Sequence, residues 1–354
     1  MSRITSSLGL AAFAAVAALS LGAPARAQEP SGEITLNAYS GIFQDNYQAA
    51  VVEPFMRRFP NIRVTYFPGQ NSAQMLGQLR AQRASPQSDV VIMDVSVQRV
   101  ANDEGLFARL DPAQVPNLGQ LFDLARPAQE GFGPAVTFDH LTVIYNTQTV
   151  TPPPTSLRDL WDARFRPGKL AILAAPDIVG LAFTILVNHT NGGDYRQNID
   201  AGIRRLQELA PSVQTWNPNP DPYTLVVNGT VQAAIGWNAR SQLYATQSQG
   251  RLGVVLPQDG SAFQINTISL VANSRNPRAA QAFINYAIGP EAQKAFTERM
   301  FYGPVNRTAQ IAPEALARTA AAPENMARMV PIDWALVATL RDRWNERWRR
   351  EVIR

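Results

Sequence analysis

The chain has 354 residues, 32 lysines and arginines against 28 aspartates and glutamates, two histidines and no cysteine. Without cysteine there is no disulfide framework and no thiolate chemistry, so stability must come from burial, for which the length supplies two cores. The net charge of +4 is not a nucleic-acid signature. The cations are nearly all arginine, Lys169 and Lys294 being the only lysines, and they form no stripe interleaved with aromatics. The one basic cluster, Arg341 to Arg350, has Asp342 and Glu346 set within it.

In chain order, Arg3 precedes an uncharged apolar run from Leu8 to Leu21, which ends in Gly22-Ala23-Pro24 and then Ala25-Arg26-Ala27. This order of charge, short apolar core and small-x-small site is that of a cleavable secretory signal peptide over residues 1–27, with no cysteine to carry a lipid anchor. The run is short for a membrane span. Loss of Arg3 and Arg26 leaves 30 basic against 28 acidic residues, a nearly balanced surface.

From there the pattern alternates. Glu33 to Tyr39 reads as a strand stopped by Ser40-Gly41. Tyr47, Val51, Phe55 and Phe59 recur at helical spacing, with Pro54 expected to bend or interrupt the helix. Ile62–Phe67 is a second strand, Met75–Arg83 a helix, and Asp89–Asp94 a short buried strand ending in a carboxylate. Ala135–Tyr145 is a long extended segment, and Ser156 with Asp159 makes a capping-box-like start. Leu170–Leu173 and Val231–Trp237 read as strands around helices at Leu181–Val187 and Ile199–Leu209. A strand at Ile265–Val271 precedes helices at Pro277–Tyr286 and Pro290–Arg299, each with proline at its start. Trp344 and Trp348 stand four apart on a C-terminal helix. A membrane-surface helix would share that pattern, but packing of the indoles on the body of the protein, with the arginines solvated, is the simpler expectation.

Strand–helix alternation of this kind predicts an α/β protein whose sheets carry helices on both faces. Two sheets joined by extended crossings form a hinged pair of lobes, and ligands in such sheets sit beyond the carboxyl ends of strands. That singles out Tyr39, Ser40 and Gly41, then Asp94 and Ser96, Asp177 after Ala175-Pro176, and Trp237 with Asn238. Several have a structural alternative: Asp94 and Asp177 also suit helix caps, and Trp237 suits a core. Asp139, at the crossing, suits hinge hydrogen bonding or ligand contact. His140 and His189 have no ligand-type neighbour at metal spacing, so neither a metal nor another cofactor is expected.

Nearly the whole chain resembles the bacterial extracellular solute-binding proteins of the spermidine/putrescine-binding type. The matching segments run in order: Tyr39-Ser40-Gly41, Glu53-Pro54-Phe55 leading to Val64, Asp89-Val90-Val91, and Glu104-Gly105-Leu106. Val143-Ile144-Tyr145-Asn146, Ser156 to Asp162 through Gly168-Lys169, Ile235-Gly236-Trp237-Asn238 and Gly303-Pro304-Val305-Asn306 complete the series. The resemblance implies a two-lobed periplasmic-binding-protein fold, each lobe a sheet flanked by helices, joined by a two-crossing hinge. It further implies lobe 1 at 28–138 with a return at 266–306, lobe 2 at 139–265, and C-terminal helices at 307–354 packed on lobe 2. Gln264, Asn266 and Tyr302 join the candidate site only through this resemblance. The family's polyamine binders place a Trp and an Asp where this chain has Gln264 and Asn266, and an acidic pair near Ala175 and Ile178. Asp94 stands where the family tends to have serine. A long polyamine is therefore not expected; a small monoamine, a zwitterion or a neutral polar solute is, with Asp94 as its charge partner. Neighbouring families bind ferric iron through paired tyrosines, and Phe301-Tyr302 offers one.

The resemblance implies a periplasmic receptor for an ABC importer, partnered by an inner-membrane permease with its cytoplasmic ATPase; a monomer is the default expectation. A ligand-sensing receptor subunit would use the same closure. A periplasmic hydrolase is the third alternative, against which stand the missing cysteine, the isolated histidines and the absence of a Gly-x-Ser-x-Gly elbow or phosphate loop.

Overall fold

The computed structural model describes residues 29–126 and 131–353; the expected signal peptide lies outside the described residues. Eleven strands are formed among the described residues: β1 Gly32–Tyr39, β2 Ile62–Gly69, β3 Val90–Asp94, β4 Phe107–Ala108, β5 Ala135–Asn146, β6 Leu170–Ala171, β7 Val213–Thr215, β8 Ala233–Trp237, β9 Leu252–Val255, β10 Ser261–Val271 and β11 Met329–Val330. Eight of them follow the order β2-β1-β3-β10-β5-β8-β6-β7, with β4 and β11 paired to β10 and β9 to β5. β1 runs parallel to β2 and β3, while β10 is antiparallel to both β3 and β5.

The long strands β5 and β10 belong to two halves of the molecule at once. Residues Asn266–Leu270 pair with β3, and Phe263–Thr267 pair with Ala135–His140 of β5. From Leu141 onward β5 pairs instead with β8. The chain thus crosses twice at one place, Phe138–His140 beside Phe263–Ile265. β5 is buried at eleven of its twelve positions, so both of its faces are covered and its polar residues Thr137, Asp139, His140, Thr142 and Asn146 are buried with the apolar ones.

Each half of the sheet has its own core. Ile34, Leu36, Phe43, Phe55, Phe138 and Phe283 belong to the first; Leu141, Leu160, Phe183, Leu206, Ile235 and Trp348 belong to the second. Smaller clusters cover the opposite faces, around Met75, Leu79 and Met93 in one half and around Ile144, Tyr223 and Val226 in the other. Helices on both faces of each half make the α/β layering expected from the sequence.

Two local expectations are corrected and one takes a particular form. Pro54 interrupts the regular helix as expected: a wider turn, Gln48–Val52, in which the Glu53 amide bonds five residues back to Gln48, separates helix Ile42–Tyr47 from helix Glu53–Arg58. The widened turn absorbs the donor that proline lacks. Of Leu170–Leu173, only the first two residues form a ladder; Ile172 and Ala174 continue it as single bonds to Thr215 O (3.1 Å) and Trp216 O (3.0 Å). Residues 307–353 do not all pack on the second core, contrary to the expectation for the C-terminal helices. Arg307 bonds Gly119 O and Leu121 O, and Ala320 lies in the first core, whereas Trp334, Val337, Trp344 and Trp348 lie in the second.

Candidate functional site

A cleft of about 1340 Å³ opens between the two halves, beside the double crossing. From the first half, the ends of β1 and β3 present Tyr39, Asp94 and Ser96 to it, with Ser72 from helix Ser72–Ala81. From the second come Asp177, Trp216, Tyr223, Trp237 and Arg240. Gln264, Asn266 and Tyr302 line it at the crossing.

The first wall is a connected polar network. The Tyr39 hydroxyl lies 2.8 Å from Ser72 Oγ and donates to Asn266 Oδ1 at 3.0 Å. Asn266 Nδ2 in turn donates to Thr137 Oγ1, and the Asp94 amide donates to Ser72 Oγ, both at 3.0 Å. Asp94 is the N-cap of helix Val95–Asp103, its Oδ1 accepting from the Ser96 amide (2.9 Å) and hydroxyl (2.5 Å). Its Oδ2 has only a long 3.4 Å contact from Gln264 Nε2. The two readings of Asp94 are therefore compatible: one oxygen caps, and the other has acceptor capacity left at the cleft. Burial raises the Asp94 carboxyl above the ordinary range, opposed by Ser96, Gln264 and Arg341.

The second wall centres on Arg240. It stands in the first turn of helix Asn238–Gln247, which begins directly at the end of β8. The side chain is half-buried and lines the cleft, yet its guanidinium has no hydrogen bond or ion pair among the described residues. Burial opposes its charge, but Tyr223, Tyr302, Tyr244 and Asp221 around it more than compensate and raise its pKa. Tyr223 is fixed by accepting the Trp237 amide at 2.8 Å. Its ring fills the space a side chain at residue 236 would occupy: a Cβ on Gly236 would lie 2.5 Å from it. Trp216 packs edge-on against Trp348 at 5.2 Å.

Four of the sequence-derived candidates stand behind the walls rather than in them. The Ser40 amide extends the sheet by bonding Gly69 O (2.9 Å), and Gly41, at φ +68°, starts the next helix by accepting from Asp45. Asn238 turns away, donating to Arg318 O at 2.7 Å. Asp139 is buried and accepts from the amides of His140 (2.8 Å) and Ala239 (3.2 Å), tying the crossing to helix Asn238–Gln247. Its Oδ2 has no partner, and burial pushes its pKa up to about 7 against the pull of those amides and Arg240. Tyr39, Asp94, Ser96, Asp177, Trp237, Gln264, Asn266 and Tyr302 do line the cleft. Asp177 also caps helix Ile178–Thr190 through the Val179 amide at 2.8 Å.

Arg240, Tyr223, Trp216, Ser72 and Arg341 line the cleft without having been singled out. Arg240 was within reach of the strand-end rule, two residues past Asn238. Arg341 arrives from the far end of the chain, and no local pattern marks it. Among the described residues, no group of three or more His, Asp or Glu is placed to hold a metal ion.

The model of the bacterial extracellular solute-binding protein family matches residues 50–326. A gamma-aminobutyric acid-binding protein of Pseudomonas aeruginosa is 26% identical over 302 residues, covering 83% of both chains. The spermidine/putrescine-binding periplasmic protein of Escherichia coli is 24% identical over 254 residues, covering 70% of this chain and 72% of that one. The crystal structure of an ABC transporter substrate-binding protein from Bradyrhizobium japonicum superposes with a TM-score of 0.75 over 90% of this chain and 99% of that one, and at 21% identity it speaks to the fold alone.

Proposed function

Since the chain belongs to the bacterial extracellular solute-binding proteins, the substrate-capturing components of ABC importers, we propose that its cleft takes a small amino-carboxylate. The ligand's carboxylate pairs with Arg240 and its ammonium group meets Asp94 Oδ2. The observation that carries this reading is the unpaired, half-buried guanidinium of Arg240 in the cleft. A planar fork of donors without a hydrogen-bond or ion-pair partner among the described residues suits a carboxylate, which it can engage bidentately. At Asn266, where polyamine binders of the family carry a carboxylate, an amide is already engaged by Tyr39 and Thr137. The relative named for gamma-aminobutyric acid has the same ligand chemistry.

The two charges lie on opposite sides of the crossing. A ligand carrying both groups at a suitable spacing draws the walls together, whereas a simple amine or a simple carboxylate engages one. Differential contact of that kind is what shifts an open–closed equilibrium. We assign lobe 1 to 28–138 with 266–306 and lobe 2 to 139–265; most of each core falls within its own lobe, with Ala239 and Phe263 reaching across into the first. We further assign export to the periplasm through cleavage after residue 27, a non-enzymatic role, and docking of the monomer onto an inner-membrane permease with its cytoplasmic ATPase.

Thermal unfolding with γ-aminobutyrate, shorter and longer amino acids, diamines, spermidine, simple amines and simple carboxylates tests this. A ligand at about 1,000 times its Kd adds roughly 4 kcal/mol to the native state, several degrees in Tm. Amino-carboxylates are expected to give that shift. A response to diamines or spermidine alone overturns the reading.

A further inference from the structure

The C-terminal helix Trp334–Arg347 brings into the cleft a charge from outside the two sheets. Both ends of this segment are fixed. The buried Trp334 indole donates to Phe263 O in β10 at 3.1 Å, and the buried Trp348 indole, just past the helix, donates to Thr184 Oγ1 at 2.9 Å. Asp333 caps the start by accepting from Leu336 N at 3.0 Å. With the ends pinned, rotation about the axis is set. Trp334, Ala338, Arg341 and Asn345, which helical spacing places along one face, all line the cleft.

Arg341 is half-buried there, and its Nη2 donates to Pro176 O at 3.1 Å. That bond holds the guanidinium next to Asp177. Burial raises the carboxyls of Asp94 and Asp177; the amides that each of them caps oppose the rise, and Arg341 adds to that opposition at both. One arginine therefore acts on a carboxylate of each wall. Three carboxylates line the cleft, Asp94, Asp177 and Asp221, and Arg240, Arg341 and Arg349 oppose them, while Arg80 is engaged with Glu104.

We propose that Arg341 is a specificity-determining residue that excludes multiply charged amines from the cleft. With it in place, a second ammonium group on the ligand meets carboxylates whose charge is already offset, next to a fixed positive charge. A ligand with a single ammonium group and a carboxylate does not suffer this. The preferred ligand rests on the amino-carboxylate reading above; the exclusion does not.

Titration calorimetry with 1,4-diaminobutane and γ-aminobutyrate, on the full protein and on Arg341→Gln, Arg341→Met and Arg341→Lys, tests the proposal. Methionine keeps an aliphatic stem on the helix face, so a local packing change in the glutamine variant is separable from the loss of charge. Removing a unit charge at a few ångströms in a solvated cleft predicts diamine binding roughly tenfold tighter in the Gln and Met variants. The Lys variant is expected to match wild type. The proposal is overturned if neither neutral variant binds the diamine more tightly than wild type, or if Arg341→Lys shows the same gain. Failure of wild type to bind any amino-carboxylate would sink the reading of Arg240 and leave the diamine comparison standing.

Discussion

Replacement of Arg240 by glutamine removes the positive end of the cleft while keeping a polar side chain of similar reach. Among the described residues Arg240 makes no hydrogen bond or ion pair that the substitution would break, but its charge favours the ionised forms of Asp139 and Asp177, so Arg240→Gln should lower stability by about 1 kcal/mol. The liganded state is different. A bidentate guanidinium–carboxylate pair contributes charge-assisted hydrogen bonds worth about 1.5–3 kcal/mol each, less the cost of desolvating both groups. The half-burial of Arg240 places the net loss near 2–4 kcal/mol, or roughly 30- to 1,000-fold in Kd. Titration calorimetry of γ-aminobutyrate, or of whichever amino acid gives the largest thermal shift, reads this directly. Arg240→Lys should recover part of the loss, since it restores charge without the planar fork. An affinity within threefold of wild type in Arg240→Gln, with the protein folded, would refute the assignment of the carboxylate to this residue.

Asp94→Asn should weaken the same ligand by about tenfold or more through the lost ammonium partner, yet barely move Tm, because asparagine caps a helix as well as aspartate does; equal affinity in mutant and wild type would remove Asp94 from the site. Asp94→Ala, which also deletes the bond to the Ser96 amide, should cost about 1 kcal/mol of stability as well, measured by urea unfolding. Asp139 titrates near 7 in the folded protein against about 3.9 in an unfolded chain, so between these values the native state binds the extra proton. Stability from this group is therefore greatest at low pH and declines as pH rises from about 4 to 7. Asp139→Asn should flatten that decline and gain on wild type above pH 7, and parallel pH–stability curves would count against it.

How much of this was legible in sequence varied with the range of the interaction. The longer strands and many helices came from local periodicity, while the short strands β4, β7, β9 and β11 did not, and the strand ends led to Tyr39, Asp94, Asp177 and Trp237, which line the cleft. The same rule overreached at Ser40, Gly41 and Asn238. A strand end fixes where the chain turns, but the neighbouring backbone decides whether a given side chain faces the cleft. Ser40 is consumed by pairing with β2, and Asn238 by a carbonyl eighty residues away. Helix Asn238–Gln247 was not foreseen, since polar and small residues give it little amphipathic pattern, and with it Arg240 was missed. The split of the C-terminal segment between two cores was equally hidden, because the tryptophans that anchor it find their partners in Phe263 and Thr184.

Of the residues that set the charge of the cleft, Asp94 was foreseen and Arg240 and Arg341 were not. Asp94 belongs to a strand end in the first half, Arg240 to a helix start in the second, and Arg341 to the last helix of the chain. None is a neighbour of another in sequence, so no spacing can encode their relation. What relates them is the double crossing of β5 and β10, which sets β3 and β8 on opposite sides of one hinge. On the proposed reading, with Gln264 and Asn266 in place of carboxylates at the crossing, charge is recognised on the two walls instead, and a ligand able to satisfy both walls would draw on the same contacts for its selection and for closure of the cleft.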